Sequence, residues 1–519
     1  MPKFIPYDYN QNVMVIVNYQ DQLQPGTFEY AIQYLVDQKL DLTVFHPRFK
    51  NDNNGRPAYD PAILLKIVLF AYSKGITSSR EIQWCCENNI IFKALSCDSV
   101  PHWTTIASFI SSQPAVIEKV FEQILLVCHE EGLLGNELFA IDGCKMSSDA
   151  AKEWSGKFNE LEEKREKLKR QIRFHMSEQE RMDKLDLDQE RTKRVDKTIG
   201  TLNRSLEKIE DFLENNSPRM GKSQKPVEVK SNITDNQSAK MKTSKGTIQG
   251  FNGVATVDKK HQIIIDATAF GEGQEYHTLA PVLDKVSKRY KRLSINDDIY
   301  STGVVVTADT GFSNQDNMKY LYDEQINAYI PDNNFRKRDK KFIGQKKKYV
   351  RPSRAKKDYV PILPSSEFSF DPISKTCICP AGNQMKKSTR TREQRGYEYI
   401  AFEGSVPKCR QCELKTKCMR NPDIPYTKDG RGRQVSFRLD KQRKPNYLDW
   451  MKRRIDSPKG KQLYSHRMSV VEPVFGNIGT NKGLSRFTLR GLDKVNGQWK
   501  LFGMIHNIEK LKNYGTIAA

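Results

Sequence analysis

From Asn136 to Asn333 the chain alternates short apolar runs with helical stretches, and this alternation restricts the fold more than any other feature. "NELFAIDGCKM" (136–146), "TIQGFNGVATVD" (247–258), "HQIIIDATAF" (261–270), "GVVVTADTGFSN" (303–314) and "INAYIPDN" (326–333) carry strand-forming residues. "EYHTLAPVLDKVSKRY" (275–290) and "NQDNMKYLYDEQ" (314–325) read as helices. The order β-β-β-α-β-α-β, with an insert after the first strand, predicts an α/β domain with a mixed sheet.

The insert is helical. Val195, Ile199, Leu202, Leu206, Ile209 and Leu213 recur at alternating spacings of four and three, a heptad seam. Trp154, Phe158, Leu161, Leu168 and Ile172 fit the same period upstream. Two such helices, joined near "MDKLDLDQ", predict an antiparallel hairpin over 151–215. Residues 1–135 read as several short helices. "DPAILLKIVLFAYSKG" has Pro61 at its start and Gly75 at its end, and Ser78 with Glu81 has a capping-box spacing. Tight turns between short helices suit a helix-turn-helix DNA reader as well as a plain packing domain. The domain organisation expected is therefore 1–135, a sheet domain over 136–330, a basic and Cys-rich insertion over 331–440, and a helical closing part over 441–519.

Lys and Arg outnumber Asp and Glu by 85 to 63, a net charge of +22. That excess points to a polyanion, and nucleic acid is the commonest one. No apolar run approaches 18 residues and no signal or lipidation motif is present, so a membrane partner is not expected and the chain reads as cytoplasmic. The densest basic run, Arg336 to Lys357, holds twelve Lys or Arg and one acid, Asp339. It directly follows the fifth strand, so Lys346, Lys347 and Lys348 are expected to track DNA phosphate.

Asp142 and Asp309 each close an apolar strand-like run, and each is followed within two residues by Gly. Singly, each suits a turn. Together they place two carboxylates at strand tips, where open α/β sheets carry their sites. A third acid, Glu472, stands in the otherwise acid-free stretch "YSHRMSVVEPVFGNIG" (464–479). Two Asp and one Glu suffice to hold two Mg²⁺ (or Mn²⁺) ions for phosphodiester chemistry.

These stretches resemble the acid motifs of bacterial insertion-sequence transposases of the DDE class. "AIDGCKM", "VVTADTGFSN" and "YSHRMSVVEPVFGNI" with "KGLSRFTLRG" are similar to their three motifs in order. "GRPAYDPAILLKIVLFAYSKGITSSREI" resembles the N-terminal domain that precedes such cores, "SNITDNQSAKM" a segment between the first two acids, and "GMIHNIEKL" their usual ending. The resemblance implies an α/β, RNase H-like mixed-sheet catalytic core with an N-terminal helical DNA-binding domain, a helical-hairpin insertion and a Cys-rich insertion. It implies Asp142, Asp309 and Glu472 as catalytic metal ligands, with Tyr464, Arg467 and a Lys contacting DNA. The position of that Lys is Gly479 here, and Lys482 is the nearest substitute; Arg467 lies five residues before Glu472, where the pattern has four. It also implies binding of terminal inverted repeats and target DNA, cleavage to a 3′-OH, strand transfer, a synaptic homodimer or higher oligomer, and nucleoid association in a bacterium. A domesticated, inactive DNA-binding protein and a nuclease without strand transfer are the alternatives.

Five of the ten Cys cluster late: Cys377, Cys379, Cys409, Cys412 and Cys418. In a cytoplasmic chain such clustering suggests metal rather than disulfides. The last three with one of the first pair make four thiolates, the number a structural Zn²⁺ takes. Cys377 and Cys379 both fit; the Cys-Pro usual in the resembling transposases favours Cys379. His129, His277 and Trp450 suit ordinary packing better than chemistry.

Overall fold

The computed structural model describes residues 17–49, 57–183, 189–222, 226–244, 246–339, 362–388, 391–394, 397–427, 430–439 and 446–516. Two compact units emerge. One runs to Pro331 and resumes at Ser457; the other spans Asp332–Asp456.

The first unit opens with helices α1 (Phe28–Tyr34), α2 (Pro61–Ser73), α3 (Ser79–Asn88), α4 (Ile90–Ser96), α5 (Trp103–Ser111) and α6 (Pro114–Glu130). Pro61 at the first turn lacks only an N–H that would be unpaired anyway, and the Asp60 carboxylate accepts the Ala62 N–H at 2.8 Å. The capping box expected at Ser78 does not form, since the Ser78 side chain makes no cap bond. Asn89 does cap α4, accepting the Ile91 and Phe92 N–H groups.

The sheet is built from β1 (Leu138–Ser147), β2 (Ala239–Thr243), β3 (Gly246–Asp258), β4 (Ile264–Phe270), β5 (Val305–Ala308) and β6 (Ala328–Tyr329). Between β1 and β2 lie α7 (Phe158–Asp183) and α8 (Gln189–Asn215); α9 (Leu279–Arg292) and α10 (Gln315–Asp323) flank β5. β1 pairs antiparallel with β3 and parallel with β5, and β5 pairs parallel with β6. β2 and β4 share the far edge of β3. The mixed sheet expected from the sequence is present, with β2 as an unanticipated sixth strand. One local reading is corrected: β1 does not end at Asp142-Gly143 but continues to Ser147, because β3 pairs with it throughout.

The expected hairpin forms from α7 and α8. Leu161, Leu168, Ile172, Ile209 and Phe212 are buried along it, and Lys169 pairs with Glu210 across it at 2.8 Å. The heptad seam gives each helix one apolar stripe, and pairing the stripes is what buries them.

Helices α11 (Pro458–Gly476) and α12 (Leu492–Tyr514) complete the first unit. α12 is buried almost all round, by Val495, Trp499, Phe502, Met504, Ile505, Ile508 and Leu511. Its polar residues are matched. Asn507 exchanges two bonds with the Ile264 backbone (2.8 and 2.9 Å), and Asn496 accepts the Ala269 N–H at 2.8 Å. Two asparagines thus satisfy the free edge of β4, which would otherwise leave buried backbone groups unpaired. The helices up to α6, the sheet and α12 contribute to one hydrophobic core. The stretches 1–135 and 136–330 therefore do not separate into compact units of their own. Fully buried Arg289 on α9 reinforces the join, bonding Asp266 of β4 (2.7 Å) and Glu118 and Glu122 of α6. Burial opposes the Glu118 charge, but Lys500, Arg289 and Lys285 outweigh it and hold its pKa at about 2.

The second unit has its own small core of Phe368, Cys377, Met385, Ile400, Phe402 and Val435. Tyr397–Glu403 is its central strand, paired with Lys386–Lys387, Arg392–Gln394 and Gln434–Arg438. The helix Tyr447–Asp456 belongs here, so this unit extends past the boundary expected at 440. Among the described residues no helix is long and apolar enough to cross a membrane.

Candidate active site

The pairing of β1 with β5 stops at Ile141 and Ala308, which face each other in register. Asp142 and Asp309 are the next residue on each chain, so the parallel register itself sets two carboxylates side by side. Arg467 reaches them from the inner face of α11. Its Nη1 donates to Asp142 Oδ2 at 2.9 Å, and its Nη2 lies 3.8 Å from Asp309 Oδ1. The Arg467 side chain is 9% exposed and Asp309 41%, so one end of the pair is sealed and the other open to solvent. Burial pushes the Asp142 carboxyl up; Arg467 and the Gly143 N–H oppose this, and Asp309 adds to it. Burial works against the Arg467 charge as well, but Asp142, Tyr464 and Asp309 more than compensate, and it stays protonated.

A further acid, Glu275, was not singled out in the sequence. It opens the 3₁₀ turn Glu275–His277 ahead of α9. Its carboxyl is raised by burial, then by Asp142 and Asp309, with the Asn252 hydrogen bond and Lys145 opposing. The glycines after the two aspartates make room for it. A Cβ on Gly143 would come within 2.7 Å of Glu275 Oε1, and one on Gly311 would overlap Oε2 outright. Gly143 lies within β1 and carries no turn; its role is this clearance. In the sequence Glu275 is an acid at a helix start like many others, and no local signal marks it.

Glu472 is exposed on α11 and has no hydrogen-bond or ion-pair partner among the described residues. Five residues beyond Arg467, it is turned by about 140° around the helix from the side chain that meets the aspartates. Tyr464 is half-buried on the same helix, with the Arg467 guanidinium 5.9 Å from its ring centre. Lys482 is 9% exposed, and its Nζ binds Glu509 at 2.9 Å. That ammonium is committed to the interior rather than to solvent. Gly479 is exposed, and a Cβ there would meet nothing within 4 Å. Lys346, Lys347 and Lys348 lie outside the described residues. At the start of their basic run, Arg338 is held by Asp332 and Asp456.

In the second unit, Cys379, Cys409, Cys412 and Cys418 line one void of about 40 Å³, room for an ion or a water but not an organic ligand. Burial raises the Cys418 thiol, Arg433 lowers it, and Cys409, Cys412 and Cys379 each raise it, which requires the four to be neighbours. Cys377 is not among them; its Sγ packs in the core against Met385 Sδ at 3.7 Å. Gly404 cradles the group, since a Cβ there would come within 2.9 Å of Cys409 Sγ. No three His, Cys, Asp or Glu side chains among the described residues stand in a ready metal-holding arrangement, at either cluster.

Compared with known families, residues 378–512 match a transposase DDE domain and residues 17–112 a transposase domain of the type designated DUF772. The first match covers Cys379, Cys409, Cys412, Cys418 and Glu472; neither covers Asp142, Glu275 or Asp309. Comparison with curated proteins and with solved structures gives no match.

Proposed function

The chain belongs to the insertion-sequence transposases of the DDE class, and from that premise we propose that it binds the terminal inverted repeats of its own element and catalyses metal-dependent cleavage and strand transfer there. The observation that carries this reading is the convergence of Asp142 and Asp309 on Arg467 at the edge where β1 leaves β5. The sheet would then be an RNase H-like core, as the DDE class implies.

The donors suit a hard divalent ion, since carboxylate oxygens are what Mg²⁺ and Mn²⁺ take. Asp142, Asp309 and Glu472 would hold it. Bound there, such ions supply activation of the attacking oxygen and charge stabilisation at the leaving one. Arg467 orients the two aspartates from the buried side, so its role is positioning rather than phosphate contact. For Glu472 to join, α11 must turn or shift when DNA and ions enter. Water attacks the phosphodiester at the element end and frees a 3′-OH; that 3′-OH attacks a target phosphodiester in transfer. The basic excess, with Lys346, Lys347 and Lys348, would hold the DNA backbone, and Tyr464 a phosphate near the cut. Lys482 takes a structural part, through Glu509.

Cys379, Cys409, Cys412 and Cys418 would hold a structural Zn²⁺, after loss of their protons and a small inward closure. The assembly on two element ends would be a homodimer or larger.

The test uses the purified full chain with Mg²⁺, a duplex bearing the element end and a target plasmid. Cleavage at the end with joining to the target is expected. Cleavage without joining assigns a nuclease, and end binding without cleavage a domesticated DNA-binding protein.

A further inference from the structure

The space between the two aspartate strands is filled by a carboxylate that packing alone does not account for. Glu275 lies against Gly143 and Gly311, the glycines that follow Asp142 and Asp309. Its side chain has one hydrogen bond, a long one of 3.4 Å from Asn252 Nδ2, and no ion pair among the described residues. A half-buried carboxylate kept for structure would be expected to gather N–H or cationic partners. This one instead faces two other acids.

Asn252 supplies an independent sign. It is fully buried on β3, and its Oδ1 has no hydrogen-bond partner. That oxygen lies 2.8 Å from where a Gly143 Cβ would stand, beside Glu275 Oε1. An orphaned buried acceptor is costly unless something satisfies it. Three carboxylates and one carboxamide oxygen approach one strand edge, and oxygen is the donor that a hard divalent ion takes.

We propose, resting on the DDE reading above, that Glu275 is a further metal-facing carboxylate of the Asp142–Asp309 site, positioned by Asn252 and given its space by Gly143 and Gly311. The site then has an acid on the sheet side that does not depend on movement of α11.

The test is titration of the metal-free full chain with Mn²⁺ alone, following the free-ion signal by electron paramagnetic resonance. Mn²⁺ favours oxygen donors over thiolates, so the cysteine cluster contributes little to the readout. Glu275→Gln should weaken Mn²⁺ binding about tenfold or more, with melting temperature and metal-free DNA binding kept. Should Glu275→Gln fail to fold, Glu275→Asp is read instead; it keeps the charge, withdraws the carboxylate by one methylene and should still weaken binding. Wild-type Mn²⁺ affinity in the folded variant overturns the proposal. Asp142→Asn, measured in parallel, separates the two readings. If it loses Mn²⁺ while Glu275→Gln does not, the assignment of Glu275 fails alone. If neither loses Mn²⁺, the DDE metal site fails with it.

Discussion

The carboxylate cluster and the thiol cluster are opposite ways of building a site. Asp142, Glu275, Asp309 and Arg467 are spread from residue 142 to residue 467 and meet because a strand register and a helix face bring them there. Cys379, Cys409, Cys412 and Cys418 come from one stretch of 40 residues around a small core. The first is hard, charged and rests on a large shared core. The second is soft and sits in a unit whose own core is small, so a bound ion would supply much of its stability. The difference teaches that a locally written site is legible as spacing, whereas a distributed one is legible only as isolated residues of the right type.

The sharpest way to break the comparison is to disable one cluster and read both. Asp142→Asn should lower end cleavage by about 10²–10³-fold or more, the scale of losing a charge-stabilising group. Zinc content and DNA-end binding should be unchanged, measured by metal analysis and gel shift. Loss of zinc in this variant would mean that the clusters are not independent.

Cys412→Ser should take zinc from about one per chain to none and lower the melting temperature of the second unit. Cys377→Ser, whose sulfur packs on Met385, should keep its zinc. Equal zinc loss in both would reopen the choice between Cys377 and Cys379.

Acid should loosen the first unit through His506. This residue is fully buried on α12, bonded to the Gln262 carbonyl at 2.8 Å, and burial lowers its pKa to about 4 against 6.5 ordinarily. Between those values the unfolded chain binds a proton that the fold refuses, so stability falls as pH drops from about 6.5 to about 4 and is level above. Melting curves across that window should slope less in His506→Gln; an unchanged slope would place the acid sensitivity elsewhere.

The smallest effect is expected at Gly479, where the resembling transposases carry Lys. Space there is open, so Gly479→Lys should fold normally and raise DNA affinity. The slope of log affinity against log salt should steepen by up to about 0.9, one phosphate contact. An unchanged slope would mean that the turn Asn477–Asn481 after α11 does not meet DNA.

Much of the architecture is written locally. Every sheet strand but β2, the α7–α8 seam and the α2 boundaries follow from periodicity, Pro61 and Asp60, which act on near neighbours. Asp142 and Asp309 were visible as acids ending apolar runs, and the cysteines as a cluster. Glu275 was not, because nothing around it in the chain separates it from any helix-starting acid. Arg467 and Lys482 were seen as basic residues beside Glu472 and expected on DNA, yet both are paired inside the protein.

By itself, then, the sequence determined the element types, the mixed α/β class, the two clusters of candidate ligands and the basic excess, since each depends on residue identity and short spacing. Tertiary structure alone decided that the N-terminal helices share the core of the sheet, that Gly143 clears a carboxylate rather than turning a strand, that Cys379 rather than Cys377 joins the other thiols, and that Glu275 lies against the glycines that follow the two aspartates. Each of these is a contact between positions far apart in the chain. Such contacts are set by strand register, by which helix face is buried and by how volumes fill, and none of those is encoded within a single local stretch.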